Sequence, residues 1–203
     1  MHPSPSTGIL FPPVKHLLIL LFTASLALAV DDPAMNDLSV GIALGGTENL
    51  AIVKEATSVT AQRVDSKVLD NATQAAAQPP VVFNLGEPFA VPEKEAAELK
   101  AAFTDGNTFL SPSKTCEFRA NVRYTFNAPP NRKLEFVLCF GCGEMDIRRD
   151  GKLVSFGPFD GGYGRILAIT KKVFPNDEFL AKFTEEAFKE RALRLKQDQP
   201  PKP

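Results

Sequence analysis

The 203-residue chain has no tryptophan, three cysteines and two histidines. Both histidines, His2 and His16, fall near the N-terminus. If that stretch is removed on maturation no imidazole is left, which excludes Ser-His-Asp and Cys-His catalysis and every histidine-ligated metal site. An excess of one charge is missing too: 23 basic residues stand against 24 acidic ones, for a net charge of -1. Without a positive excess there is nothing to attract a phosphate backbone, so no nucleic-acid partner is expected. Long hydrophobic runs are scarce. The longest, Leu17 to Val30, covers roughly 21 Å as a helix at ~1.5 Å per residue, short of the ~30 Å hydrocarbon core. What remains is 44% hydrophobic and 23% charged, ordinary globular composition with length for one domain core.

The run from Leu17 to Val30 follows Lys15, and Ala27-Leu28-Ala29 places small residues where a signal peptidase needs them. The pattern predicts a signal peptide over 1–29, cleaved after Ala29, and hence an exported protein, periplasmic or secreted, with no stable membrane span after cleavage. Retention as an anchor is the alternative. In an oxidising compartment cysteines read first as disulfides.

Residues 30–56, rich in Gly, Ala, Asp and Asn, read as a mobile lead-in with one short helix near Leu50 to Glu55. A single α+β domain is expected over 57–190, then a helix end and disordered tail over 191–203. Within the domain, Val59 to Val64 and Val81 to Phe83 read as short strands, separated by a polar linker at 70–80 that carries the weak sequon Asn71-Ala72-Thr73. Pro92 to Phe103 reads as a helix with acids in its first turn.

From Cys116 the period becomes two. Phe118, Ala120, Val122, Tyr124 and Phe126 alternate with polar residues, and Leu134, Phe136, Leu138 and Phe140 resume the apolar face after Asn127 to Asn131. For both apolar faces to coincide, paired residue numbers must sum to an even value, about 258 for a five-residue loop. Glu144 to Arg149 follows as a strand, and Asp150-Gly151 is a hairpin signal that pairs Ile147 with Val154 and Met145 with Phe156. Ile166, Ile169 and Val173, then Phe179, Phe183 and Ala187, recur at helical spacing to cover the sheet. The expected fold is α+β: an antiparallel four- to five-stranded meander with helices packed on one face.

Cys139-Phe-Gly-Cys142-Gly143 is the most conspicuous chemical feature. A structural zinc needs four ligands, and only Cys116 remains to join the pair, so no metal or other cofactor is expected. A thiol-disulfide catalyst wants its first cysteine at a helix N-terminus, whereas the residues after Cys142 read as strand. The leading reading is a structural disulfide. Parity places Cys116 and Cys142 on one face and Cys139 on the other, which favours a Cys116–Cys142 bridge with Cys139 as the free or redox thiol; a Cys139–Cys142 bridge stays open. Phe159 to Arg165 reads as an Asp160 helix cap with turning glycines in preference to an anion cradle. Arg119, Arg123, Arg148 and Arg149, with Glu117, Glu135 and Asp146, read as a solvated sheet face in preference to a polar binding surface.

Taken as an ordered set, Cys116-Glu-Phe118, Cys139-Phe-Gly-Cys142-Gly143, Asp150-Gly151-Lys152 and Phe174-Pro-Asn-Asp177 resemble a group of small exported bacterial proteins that share a Cys…CFxCG…DGK…FPxD core over roughly residues 57–188. That resemblance implies no activity. No catalytic residue emerges from the sequence. The expectation is an exported non-enzymatic domain whose partner is an unknown protein or envelope component. The runner-up is a thiol-active protein, in disulfide exchange or metal handling, using Cys139 and Cys142.

Overall fold

The computed structural model describes residues 32–67, 81–110 and 117–197. The apolar segment 17–30, the linker and sequon, Cys116 and the end of the tail lie outside the described residues. Residues 36–203 make up one compact unit; of the other, 1–35, only 32–35 are described, within and just before the first turn of a helix.

The period-two region folds as the expected meander: β4 Val122–Ala128, β5 Arg132–Cys139, β6 Glu144–Arg149 and β7 Lys152–Pro158. Its inner face is closed to solvent at Val122, Tyr124, Phe126, Leu134, Phe136, Leu138, Met145 and Ile147. Each such side chain contributes roughly 1.5–3 kcal/mol over an exposed one. Phe103 stacks on Phe136 at 4.2 Å and meets Phe126 edge-on at 5.8 Å, so the centre of the core is aromatic.

The sheet is larger than the four to five strands expected. Upstream of the meander lie β1 (Ser58–Lys67), β2 (Val81–Asn84) and β3 (Phe89–Ala90), giving seven strands among the described residues in the order β2-β1-β4-β5-β6-β7, with β3 also on β1. β1 inserts beside β4, Ala61 facing Tyr124, so strands far apart in sequence share the core.

Two registers differ from expectation. Val122 pairs with Leu138, a sum two higher than expected, because the β4–β5 turn is only Pro129 to Asn131, with Asn131 at φ 71°. In the β6–β7 hairpin, Ile147 faces Ser155 and Met145 faces Gly157, not Val154 and Phe156, because a bulge between Ile147 and Arg148 shifts the register by one. Phe118 and Ala120 also leave the pattern. They precede β4, and Ala120 joins Val64 and Val137 in a small apolar cluster on the opposite, outer face.

Helices cover the inner face. α3 (Glu93–Phe103) and α4 (Tyr163–Val173) form where the spacing predicts, α3 entered from Pro92 with Glu93 and Glu95 in its first turn. The buried Tyr124 hydroxyl donates to Thr170 Oγ1 at 2.9 Å, and Thr170 donates to the Ile166 carbonyl at 2.8 Å. The stretch after Pro175 is two helices, not one: α5 (Glu178–Ala181) and α6 (Glu185–Gln197), broken at 182–184, where Thr184 Oγ1 accepts from Ala187 N–H. The Glu185–Lys189 pair forms at 2.6 Å.

The largest correction concerns the lead-in. Residues 33–55 are two helices, α1 (Pro33–Ala43) and α2 (Thr47–Glu55), and Val40, Leu44, Leu50, Ile52 and Val53 belong to the main core. Gly45 and Gly46, read as flexibility, join them. Gly45 has φ 77° and lies so close to the Val154 carbonyl that a Cβ would collide. The domain therefore begins before residue 57.

Candidate functional site

The Cys-Phe-Gly-Cys-Gly turn links β5 to β6. Cys142 and Gly143 N–H both donate to the Cys139 carbonyl, at 3.3 and 2.8 Å. Gly143 has φ 67°, and a Cβ there would run into Asp160 and Phe188, which explains the second glycine of the motif. Cys139 Sγ accepts two backbone N–H groups, from Cys142 at 3.2 Å and Arg119 at 3.4 Å. It is a free, buried thiol, so the Cys139–Cys142 bridge is not formed. Burial pushes its pKa up; the backbone donors oppose that, and the nearby Glu144 carboxylate adds to it. Because β6 follows in place of a helix, no helix dipole offsets the burial. This is not the environment of an activated nucleophile.

Cys142 Sγ lies 3.0 Å from the carbonyl oxygen of Glu117, the residue after Cys116. Cys116 is outside the described residues, so the expected Cys116–Cys142 bridge remains a proposal. Among the described residues no group of three or more His, Cys, Asp or Glu is arranged to hold a metal ion.

The glycines at 161 and 162 have a packing reason. A 3-10 turn at Asp160–Gly162 lies against a second one at Gly106–Phe109, and Cβ atoms on the two glycines would collide with Asn107 and Thr108. Asp160 is not the cap of α4. Gly162 occupies that position, without a side-chain hydrogen bond.

The four arginines do not share one face. Arg149 Nη1 turns to α2, reaching Glu48 Oε1 and Asn49 Oδ1, each at 3.1 Å. Arg119 pairs locally with Glu117 at 2.9 Å. Arg123 and Arg148 remain on the outer face with Glu135 and Asp146, in two cross-strand rows: Gln62, Arg123, Val137, Asp146, Phe156, and Thr60, Thr125, Glu135, Arg148, Leu153. This face is less solvated than its alternation suggests. Asp146 is 2% exposed, paired with Arg148 at 2.7 Å. The segment at 117–120 lies over one end: Ala120 N–H donates to Ser66 Oγ at 3.0 Å, and Phe118 meets Phe156 edge-on at 5.9 Å. The Nε atoms of Arg123 and Arg148 are the two buried side-chain donors among the described residues that have no acceptor.

Sequence reasoning missed the role of Phe174-Pro-Asn-Asp177. Asp177 Oδ1 caps α5 by accepting Leu180 N–H at 2.8 Å, and Oδ2 accepts from Arg63 Nε of β1 at 2.6 Å. Burial works to raise this carboxyl, but the Leu180 N–H and the Arg63 guanidinium outweigh it and hold it below the usual carboxylate value. An aspartate three residues before a buried leucine is a cap signal that the sequence did offer. Surface hollows among the described residues include two of similar size. One, of about 340 Å³, is lined largely by apolar residues including Ile42, Phe109, Leu110 and Phe156. The other, of about 330 Å³, holds Arg132, Lys133 and Arg149 with Glu48 and Asp150, and Arg132 and Arg149 are engaged by Glu55 and Glu48.

No helix among the described residues is long and apolar enough to cross a membrane. Compared with protein-family models, curated proteins and solved structures, the chain matches none.

Proposed function

We propose that this is an exported, non-enzymatic α+β domain with a binding or structural role in the cell envelope or outside it. The observation that carries this reading is the state of Cys139, the most reactive group a histidine-free mature chain would have. It is buried, its pKa is raised, and its sulfur is occupied by backbone donors. The disposition of the sheet adds to it: helices fill the inner face, while the outer face presents arginines and acids in cross-strand rows.

The test has two parts. Intact mass of the exported protein is expected to place the N-terminus at Val30, and retention of Met1 in membrane-extracted material counts against export by cleavage. An insulin-reduction assay is expected to show no turnover by the native protein. Disulfide reductase activity that survives Cys116→Ser and is lost in Cys139→Ser would replace this reading with the thiol-active one. One observation favours that alternative: two backbone N–H groups point at Cys139 Sγ, and such donors stabilise a thiolate.

A further inference from the structure

Arg123 differs from the other arginines on the sheet. Its Nη1 is held by two neutral carboxamide oxygens, Gln62 Oε1 at 3.2 Å and Asn84 Oδ1 at 3.1 Å. Gln62 is fixed in turn, its Nε2 donating to the Gly86 carbonyl at 2.8 Å. Among the described residues no carboxylate lies within ion-pair distance of Arg123, whereas Arg148, two strands away, is paired with Asp146. The half-buried guanidinium is thus oriented by groups that leave its charge uncompensated. Its unused donors are Nε–H and the two hydrogens of Nη2; Nε–H and the Nη2 hydrogen parallel to it form the edge of the fork that matches the two oxygens of a carboxylate. Nε is buried without an acceptor. Nη2 is not among the buried orphans, so an incoming oxygen meets it first.

From this we infer that Arg123 is a ligand-binding residue that takes a single carboxylate group on the outer face, an inference that rests on the binding role proposed above. The other charges of that face select the ligand. Glu135 lies diagonally across from Arg123 on β5, and Asp146 and Glu144 follow on β6. A carboxylate such as Glu135 repels a dianion about twice as strongly as a monoanion at the same distance, so a monocarboxylate is accepted over sulfate or a divalent phosphate. The carboxylate comes from a small organic acid or from the C-terminus of a peptide.

The test is a titration of the exported protein followed by the arginine Nε–Hε NMR signals at constant ionic strength. The probes are acetate, trialanine, trialanine amide and sulfate. The Arg123 signal, assigned by its loss in Arg123→Lys, is expected to shift saturably with acetate or trialanine, with an apparent dissociation constant on the order of 1–10 mM. Sulfate and trialanine amide are expected to leave it unmoved. Saturation by trialanine at concentrations at least about tenfold below acetate assigns the peptide terminus as the source, and equal affinities assign the free acid. Retained Arg63 and Arg148 signals in Arg123→Lys show that the variant is folded. In Gln62→Ala the site is expected to weaken, because the guanidinium loses its orientation. A linear, unsaturated response to acetate and trialanine, or the same response in Arg123→Lys, overturns the inference while leaving the binding role intact. Reductase turnover, in contrast, overturns the binding role itself.

Discussion

Arg63 Nε donates to Asp177 Oδ2 at 2.6 Å, tying β1, the strand next to the β2 edge of the sheet, to the cap of α5 across 114 positions of sequence. The same guanidinium lies 5.1 Å from the centre of the Phe179 ring, so it serves strand, cap and helix together. Asp177→Asn keeps an oxygen for the Leu180 N–H but removes the charge. Asp177→Ala removes both. Urea denaturation is expected to show a loss of about 1–2 kcal/mol for Asn and a further ~1 kcal/mol for Ala, the usual worth of a cap. Because the folded carboxyl titrates below its unfolded value, its contribution is present above the unfolded pKa near ~4 and is lost as pH falls through the lower folded one. Asp177→Asn should therefore lower stability at pH 7 and flatten the acid limb. Parallel stability-against-pH curves for the two proteins would contradict this.

The Tyr124–Thr170 pair predicts an asymmetry. Tyr124→Phe removes a donor but leaves Thr170 bonded to the Ile166 carbonyl, so it should cost about 1 kcal/mol. Thr170→Val leaves the Tyr124 hydroxyl buried without its acceptor, which should cost about 1–3 kcal/mol. Chemical denaturation of the two variants and their double mutant measures the difference.

Leu44 has no exposed surface although it sits beside the Gly45-Gly46 pair. Leu44→Ala is expected to destabilise by ~2–5 kcal/mol, and deletion of 30–50 to abolish cooperative unfolding. A truncated protein with an unchanged melting temperature would show that α1 and α2 are dispensable.

For the cysteines, peptide mapping of unreduced protein is expected to recover a Cys116–Cys142 peptide with Cys139 unmodified. Alkylation of Cys139 in the native state should be slower than in urea by more than about tenfold, since an opening of even ~1.4 kcal/mol must precede it. Equal rates would show that the thiol is reachable in the native fold.

The meander was legible because Val122, Tyr124 and Phe126 obey a strict period of two on a half-buried surface, and Asp150-Gly151 marks its last hairpin. The α+β class and the meander followed from them. The place of β1 was not legible, since pairing Ala61 with Tyr124 depends on a long-range register that local pattern does not encode. α1 and α2 were hidden by their mixed composition and by glycines that mark a tight approach to Val154 as readily as a loose loop. At the candidate site, the sequence offered the four arginines and the CFGCG turn. It did not show that Arg149 would turn to α2, or that two carboxamides would hold Arg123, because both depend on which strands become neighbours.

The insertion of β1 between β2 and β4 bears on how the chain assembles. Ribosomes release a chain from its N-terminus, so α1, α2, β1 and α3 exist before β4 has been made. β1 can already pair with β2 and β3, but its six-residue pairing with β4, and the packing of α2 on β4 and β5, await the meander. Within the meander each strand meets the next through a turn of two to four residues, and loop closure there is cheap. The last-made half can therefore zip first and become the template onto which the first-made half docks. A nascent chain stalled near residue 110 would hold β1 with β2 and β3 but lack the strands that complete its core, a natural client for a holdase.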